Sequence, residues 1–402
     1  MIRHLLKLLW NRKRASALVV LEIVMSFLVL TAVLGGIAHF AINWQRPLGY
    51  DATNVWNLNV AIPPGEATTN REATNERFAS ILREVKATPG VESAAGALMS
   101  PYGLGDWTND FGSDHRVYHM DSVTDEFAET MKLEIVRGRW FGPEDDGVDW
   151  EPVVLNEEAV DRYFPKGLEI GEVINPDAEA KETRRRVVGI ITDFRKAGEL
   201  QTPEPFCFVR ANLDGPKTLA PENIVLRVTE GAGTSLEVDV LEKVRAIAPE
   251  WTFEVRPMSV MRRGSLRLQF APLIAGAVIA GSMILLVALG LTGVMWQNVT
   301  RRTQEIGLRR AVGASSISVQ GQILAETLII AAISLAAGLL LVVQAPLAGV
   351  EISLDGAGIR PEVVAAGIGG ATLMILVIVT LCAFYPSRLA SSVEPAEALH
   401  YE

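Results

Sequence analysis

Four uninterrupted apolar runs constrain this chain before anything else does. Ala17–Ile42, Ala271–Trp296, Ile323–Val343 and Val363–Phe384 each approach or exceed the roughly 20 residues that carry an α-helix across a bilayer. The second and fourth contain no Asp, Glu, Lys or Arg, and a helix buried in a water-soluble core is rarely so long and so uniform. The expected fold is a membrane protein with four transmembrane α-helices. The first run is far longer than the apolar stretch of a secretory signal, about 7–15 residues, and no small-x-small cleavage site follows it. It reads as a retained anchor within 15–44.

Orientation follows from lysine and arginine, which concentrate on the cytoplasmic side. Arg3, Lys7, Arg12, Lys13 and Arg14 precede the first run, and Arg301, Arg302, Arg309 and Arg310 lie between the second and third. Between the third and fourth only Arg360 stands against Glu351, Asp355 and Glu362. Both termini and the 297–322 loop are therefore expected in the cytoplasm, and residues 45–265 outside it. That outer region holds 25 of the 37 Lys and Arg and 38 of the 47 Asp and Glu. Its acidity keeps it soluble and argues against nucleic acid as a partner. The two cysteines, Cys207 and Cys382, fall in the outer region and in the fourth span. An intrachain disulfide or a cysteine metal site is not expected.

Periodicity divides the rest. Ile2, Leu5, Leu6 and Leu9 recur at helical spacing opposite Arg3, His4 and Lys7. Residues 1–14 thus read as an amphipathic helix on the cytoplasmic membrane surface, or as the basic start of the first span. Val55–Ala61 alternates as a strand, and Glu66–Ala87 carries Phe78, Ile81, Leu82 and Val85 on one helical face. A strand over Val91–Met99 follows. A β-like stretch over about 111–210 contains strands at Glu151–Leu155, Arg186–Ile191 and Pro205–Val209, with a short helix near Asn156–Tyr163. Strand Asn223–Val228, a helix near Ser235–Ala248 and strand Thr252–Arg256 close the region. The expectation is a large α+β extracytoplasmic domain, with an inserted β-rich subdomain, between spans one and two. Met258–Phe270 has no strong breaker before Pro272 and can extend the second span outward as a stalk.

Catalytic signatures are missing. GxxxxGK[ST], GxSxG and HExxH do not occur, so these residues supply no phosphate-binding loop of their own. His115 and His119 stand four apart but have no accompanying ligand signature. Glu144, Asp145, Asp146 and Asp149 miss the spacing of a calcium loop and read as a solvated acidic turn. Arg184, Arg185 and Arg186 read as a solvated sheet edge that discourages strand pairing. Inside the spans, Glu22 and Glu326 each cost about 2.5–3.5 kcal/mol at mid-membrane on insertion scales. They lie at similar depth, facing either a protein interface or the hydrated boundary.

The stretch Val299–Ser316, VTRRTQEIGLRRAVGASS, is short, basic and free of proline. Arg301, Glu305 and Arg309 fall at i, i+4 and i+8 on one helical ridge. On residue chemistry alone it is either a helix placed to receive force from a cytoplasmic partner or a loop that only fixes topology.

TRRTQEIGLRRAVGAS resembles the cytoplasmic signature of FtsX-like permease domains, closest to the MacB group of ABC transporter subunits. The tail YPSRLASSVEPAEALHYE is similar to that group's terminal pattern. VVLNEEAVDRYFP, IGEVI and RRVVGIITDFR are similar to its periplasmic core domain. The resemblance spans nearly the whole chain and implies a non-catalytic permease in a bacterial inner membrane. Residues 266–402 would be the FtsX-like domain, with spans 271–296, 323–343 and 363–384, coupling loop 297–322 and tail 385–402.

By the same resemblance, two copies of a separate ABC ATPase would bind ATP and Mg, and this chain would hold no cofactor. A second permease, either a copy or a paralogue, completes the complex. Arg301, Arg302, Gln304, Glu305, Ile306, Gly307, Arg309 and Gly313 would form the ATPase-coupling segment, with Gly313 ending its helix. Mechanotransmission to the outer domain would then drive export or extraction of an antimicrobial peptide, a macrolide-like compound or a lipoprotein. Export would call further for a periplasmic adaptor and an outer-membrane channel. The alternative is a signal transmitter that switches a cell-wall hydrolase.

Overall fold

A computed structural model describes residues 13–111, 116–175, 184–213, 220–301, 308–309, 312–347 and 360–392. They form two compact units, Ile42–Gln269 and a second made of Met1–Ala41 with Phe270–Glu402. The expected surface helix over 1–14 lies almost wholly outside the described residues.

Among the described residues, four helices are long and apolar enough to cross a bilayer: α1 (Lys13–Trp44), α7 (Met258–Arg301), α8 (Ser316–Leu347) and α9 (Pro361–Ser392). The 44 residues of α7 far exceed a bilayer crossing, at 1.5 Å rise per residue. Pro272 sits inside α7, where it has no N–H to donate to the carbonyl of Leu268.

Within the membrane unit, side chains of all four helices share one core. Ile23, Phe27 and Leu30 of α1 are buried with Val287, Leu291, Ala331 and Ile375. Small residues allow the approach: a methyl group at Gly338 of α8 would lie 2.5 Å from the Phe27 ring, and one at Gly367 of α9 would lie 2.5 Å from the Thr31 carbonyl oxygen. Close backbone approach of this kind replaces the hydrophobic drive that lipid removes.

The Ile42–Gln269 unit is built on a ten-stranded mixed sheet in the order β10-β1-β9-β2-β4-β8-β6-β7-β5, with β3 paired to β4. The strands are β1 (Val55–Ala61), β2 (Val91–Ala97), β3 (Thr108–Phe111), β4 (Arg116–Val123), β5 (Ile135–Gly138), β6 (Glu151–Asn156), β7 (Arg185–Ile191), β8 (Phe206–Arg210), β9 (Asn223–Val228) and β10 (Thr252–Pro257). Helices α2 (Glu66–Thr69) and α3 (Arg71–Lys86) follow β1, and α6 (Thr234–Ile247) follows β9. The run β1-α3-β2-β9-α6-β10 is therefore a split βαβ arrangement, and β3 to β8 are inserted between its halves.

Each helix presents one apolar stripe to this first half. Phe78, Ile81, Leu82 and Val85 of α3 and Leu236, Val240 and Val244 of α6 are buried against Leu58, Ile224 and Leu226. The insert adds α4 (Phe127–Met131) and α5 (Glu157–Tyr163). Its sheet contains parallel pairs, β4 with β8 and β6 with β7.

Three local expectations are corrected. The helix expected over Glu66–Ala87 is two helices, because Asn70 leaves helical geometry at φ −135°, ψ 59°. The arginines at 184–186 do not mark a free edge: β6 pairs with this stretch on one side, and on the other Arg186 bridges to Val173 and the Ile174 N–H donates to the Arg185 carbonyl at 3.0 Å. Arg185 pairs with Glu151 at 2.7 Å, and the Arg186 guanidinium lies 4.8 Å from the Trp150 ring centroid. Nor is the acidic turn simply solvated. Asp145 is buried and accepts two hydrogen bonds from Arg139, at 2.7 and 2.6 Å, while Asp146 pairs with Arg210. These bonds hold the Asp145 carboxyl below its ordinary range although burial pushes the other way.

Candidate functional site

Of the expected coupling residues, Arg302, Gln304, Glu305, Ile306 and Gly307 lie outside the described residues. Arg301 is the last residue of α7. Gly313 takes φ +104°, and the Ala314 N–H donates to the Arg309 carbonyl at 3.0 Å. That six-to-one bond is the closure of a helix ended by a left-handed residue. The Ser315 hydroxyl then accepts from the Ser318 N–H at 3.2 Å and starts α8.

Arg309 Nη1 donates to Gln322 Oε1 at 2.7 Å, and Gln322 Nε2 donates to Glu326 Oε1 at 3.2 Å. Two expected residues, Arg309 and Glu326, are thus joined through Gln322, which sequence reasoning does not single out. Its signal is the i, i+4 spacing to Glu326 on α8. Glu22 has a different setting: a methyl group at Gly290 of α7 would lie 2.7 Å from its Oε2. The absent side chain of that glycine leaves room for the carboxylate between α1 and α7.

A second polar centre, unforeseen from the sequence, lies within the Ile42–Gln269 unit. Arg195 is fully buried in the segment between β7 and β8. Its Nε donates to the Pro47 carbonyl at 2.9 Å. Nη1 donates to the carbonyls of Asn43 (2.8 Å), Glu199 (2.9 Å) and Gln201 (3.2 Å), and Nη2 to that of Arg46. The Asn43 carbonyl lies at the end of α1, where intrahelical donors run out, and also accepts from the Arg46 N–H at 3.1 Å; a cation there suits the helix dipole. Burial lowers the Arg195 pKa, opposed by the charge of Glu199. Asn43 Nδ2 returns a bond to the Leu200 carbonyl at 2.9 Å.

The same segment holds the first turns of α7. Ser265 Oγ and Gln269 Nε2 donate to the Ala197 carbonyl at 3.1 and 3.0 Å. Arg262 Nε donates to Glu199 Oε1, which also accepts from Tyr102 Oη at 3.3 Å. The Arg262 guanidinium lies 5.7 Å from the Trp44 ring centroid and so meets a residue of α1 directly. Beneath these groups, Tyr50 packs on Phe194 (centroids 5.1 Å apart), and Phe194 on Phe206 (4.9 Å). Burial pushes the Tyr102 hydroxyl up to about 12 and that of Tyr50 well above its ordinary value. Both phenols stay neutral.

Segment 194–202 therefore grips the chain as it leaves α1 and as it enters α7. The motif RRVVGIITDFR contains Arg195, so the sequence points to the stretch but not to this role.

Comparison with known families places this geometry. The MacB-like periplasmic core domain model matches residues 16–246, more than half the chain, and the FtsX-like permease C-terminal model matches 277–395. The chain belongs to the MacB-like, FtsX-like family of ABC transporter permeases. It is a multi-pass membrane protein with an extracytoplasmic domain between its first and second spans.

It is 24% identical over 370 residues to the macrolide export ATP-binding/permease protein MacB of Shewanella oneidensis, covering 89% of this chain and 54% of that protein. It is also 24% identical over 339 residues to the uncharacterized ABC transporter permease YvrN of Bacillus subtilis, covering 80% and 78%. The chain thus spans about half the length of the MacB relatives it matches. Among solved structures it is similar to the periplasmic region of MacB from Actinobacillus actinomycetemcomitans, at 13% identity and TM-score 0.38 over 54% of this chain and 94% of that one.

Proposed function

We propose that this chain is the permease subunit of a MacB-type export system, converting ATP hydrolysis into movement of its extracytoplasmic domain. The observation that supports this is the grip of segment 194–202 on both the end of α1 and the start of α7. A shift of either helix end pulls on the same loop between β7 and β8, and hence on the sheet. The continuous helix from Met258 to Arg301 is suited to carry displacement from the coupling segment.

In this reading two copies of an ABC ATPase bind ATP and Mg and dock on Arg301, Arg302, Gln304, Glu305, Ile306, Gly307 and Arg309. A second permease completes the complex. Both termini are cytoplasmic. Of the substrate classes an antimicrobial peptide, a macrolide-like compound or a lipoprotein, the macrolide export named for the MacB relatives favours the macrolide-like compound. A periplasmic adaptor and an outer-membrane channel then carry the substrate onward.

Glu305→Lys reverses a charge on the proposed docking ridge, and in the helix proposed for this segment Gly307→Pro would remove a backbone donor, at about 3 kcal/mol. Either variant is expected to abolish stimulation of the ATPase by the permease while both proteins still co-purify from membranes. Wild-type rates of ATP hydrolysis and transport in both would refute docking at this segment. Orientation has its own test. With Cys207 and Cys382 replaced, an Asp149→Cys variant should react with an impermeant maleimide in cells whose inner membrane is intact. Reaction only after that membrane is opened would invert the proposed topology.

A further inference from the structure

The gripping segment is tied to the sheet by a histidine set between two carboxylates. His119 on β4 pairs with Thr108 of β3 on one side and Phe206 of β8 on the other. Its Nδ1 lies 3.0 Å from Asp106 Oδ1, in the loop before β3, and its Nε2 lies 3.4 Å from Glu204 Oε2, just before β8. Glu204 Oε2 also accepts from Gln201 Nε2 at 2.6 Å, and Gln201 Oε1 accepts from the Ala197 N–H at 2.7 Å. The Gln201 carbonyl in turn accepts from Arg195. A short chain of polar contacts, the ion pair of His119 with Glu204 followed by hydrogen bonds, therefore runs from the imidazole to the guanidinium that holds the end of α1.

A neutral imidazole has one N–H and one lone pair. With a carboxylate at each ring nitrogen, either tautomer sets a lone pair against an anionic oxygen. Only the imidazolium donates to both, and bonds between ionised partners are roughly twice as strong as neutral ones. Histidine is the side chain whose ordinary titration falls between pH 5 and 8. We infer that His119 is a proton-binding site which, when occupied, ties segment 195–204 to the Asp106 loop and, when empty, releases it. Extracytoplasmic pH then sets how firmly the segment grips the ends of α1 and α7. The functional meaning of this rests on the transmission reading above, but the bridge is local to the Ile42–Gln269 unit.

Other charged groups face the same place. Lys196 Nζ donates to the Gly105 carbonyl beside Asp106. Burial lowers the Lys196 pKa, while the charges of Asp106 and Asp121 oppose that. Asp121, two residues along β4, is buried and accepts from the Met99 N–H at 2.9 Å. Burial pushes its carboxyl up to about 8. A carboxyl raised in the folded state contributes stability at low pH that is lost as pH climbs toward 8. Asp121 therefore acts in the same direction as His119 and must be separated from it.

The test is amide hydrogen exchange of the full chain in lipid nanodiscs between pH 5.5 and 8.0, corrected for the intrinsic pH dependence of exchange. Peptides covering 195–204 are expected to exchange about tenfold faster at the higher pH in the wild type, the loss of one charge-assisted bond. Asp121→Asn, which keeps the acceptor for Met99, is expected to retain that rise. His119→Gln and Glu204→Gln are expected to flatten it to within twofold, with protection of β9 unchanged as the control for folding. A full rise in His119→Gln, or a flat wild-type profile, overturns the inference. Because the readout is the segment itself, failure here leaves ATPase coupling standing, and failure of the coupling-loop variants leaves the proton site standing.

Discussion

Arg195→Ala is expected to destabilise the extracytoplasmic domain by on the order of 3–5 kcal/mol, one of the two largest effects anticipated in this chain. The guanidinium is fully buried and gives five hydrogen bonds, all to backbone carbonyls. Truncation takes a donor from each of these carbonyls in a site closed to water, only the Asn43 carbonyl keeping the Arg46 N–H at 3.1 Å, and an unsatisfied buried acceptor costs about 1–3 kcal/mol. The sum exceeds the expected loss because the segment relaxes and water enters. Arg195→Lys should recover less than half, since an ammonium offers three donors and no planar fork. The check is the thermal unfolding midpoint of the full chain in nanodiscs, followed by tryptophan fluorescence. Where enough protein remains folded, ATP hydrolysis should continue while transport fails, because the fault lies beyond the ATPase. Wild-type stability together with wild-type transport would show that the grip is incidental.

Much of the architecture was legible because it depends on length and period. A run of more than twenty apolar residues has few solutions other than a span. The alternation over Val55–Ala61 and the helical stripe of Phe78, Ile81, Leu82 and Val85 place β1 and α3 where the structure has them. What failed depends on distant partners. The reading of Arg184–Arg186 as an edge went wrong because the segment that covers it, around Val173 and Ile174, makes only an isolated bridge and has no alternation to announce it. Without that segment, the arginine end of β7 looks like the end of the sheet. The break at Asn70 did have a local signal, since Thr68, Thr69 and Asn70 are weak helix formers, but the apolar stripe beyond it masked that signal.

The candidate sites divide in the same way. The coupling segment stood out through charge, spacing and its place between two spans, all properties of side chains. The grip on α1 is made by one side chain and five main-chain oxygens, and a carbonyl carries no trace in the residue name. The sequence shows Arg195 and Lys196 shortly after the apolar run Val187–Ile191, in a stretch that also carries Asp193, Glu199 and Glu204. A buried charge must find partners, so the pair signals a polar centre, but which carbonyls converge on it follows only from the fold.

Gly49→Ala should be as damaging as the loss of Arg195, and the glycines elsewhere in the chain supply its control. Gly49 has φ +82°, in the left-handed region, where a side chain costs about 1–2 kcal/mol by itself. A methyl group there would also lie 1.7 Å from the Asp193 carbonyl oxygen and 2.7 Å from its carbon. Asp193 has little freedom to retreat. Its Oδ1 accepts from the Glu158 N–H at 2.9 Å at the start of α5, and two residues on the Arg195 N–H donates to the Leu48 carbonyl at 3.1 Å. Making room for the methyl separates Leu48 from Arg195 and opens the grip from its other strand. Gly65 has nearly the same backbone, φ +87°, and a methyl group added there would meet nothing within 4 Å. Gly65→Ala therefore carries the conformational strain alone, about 1–2 kcal/mol, whereas Gly49→Ala adds a clash with fixed backbone and should exceed about 3 kcal/mol. The two variants are compared by their unfolding midpoints in the same nanodiscs. Equal losses would mean that the 47–50 turn yields freely, and that the end of α1 is not held against the 193–195 segment in the way its hydrogen bonds require.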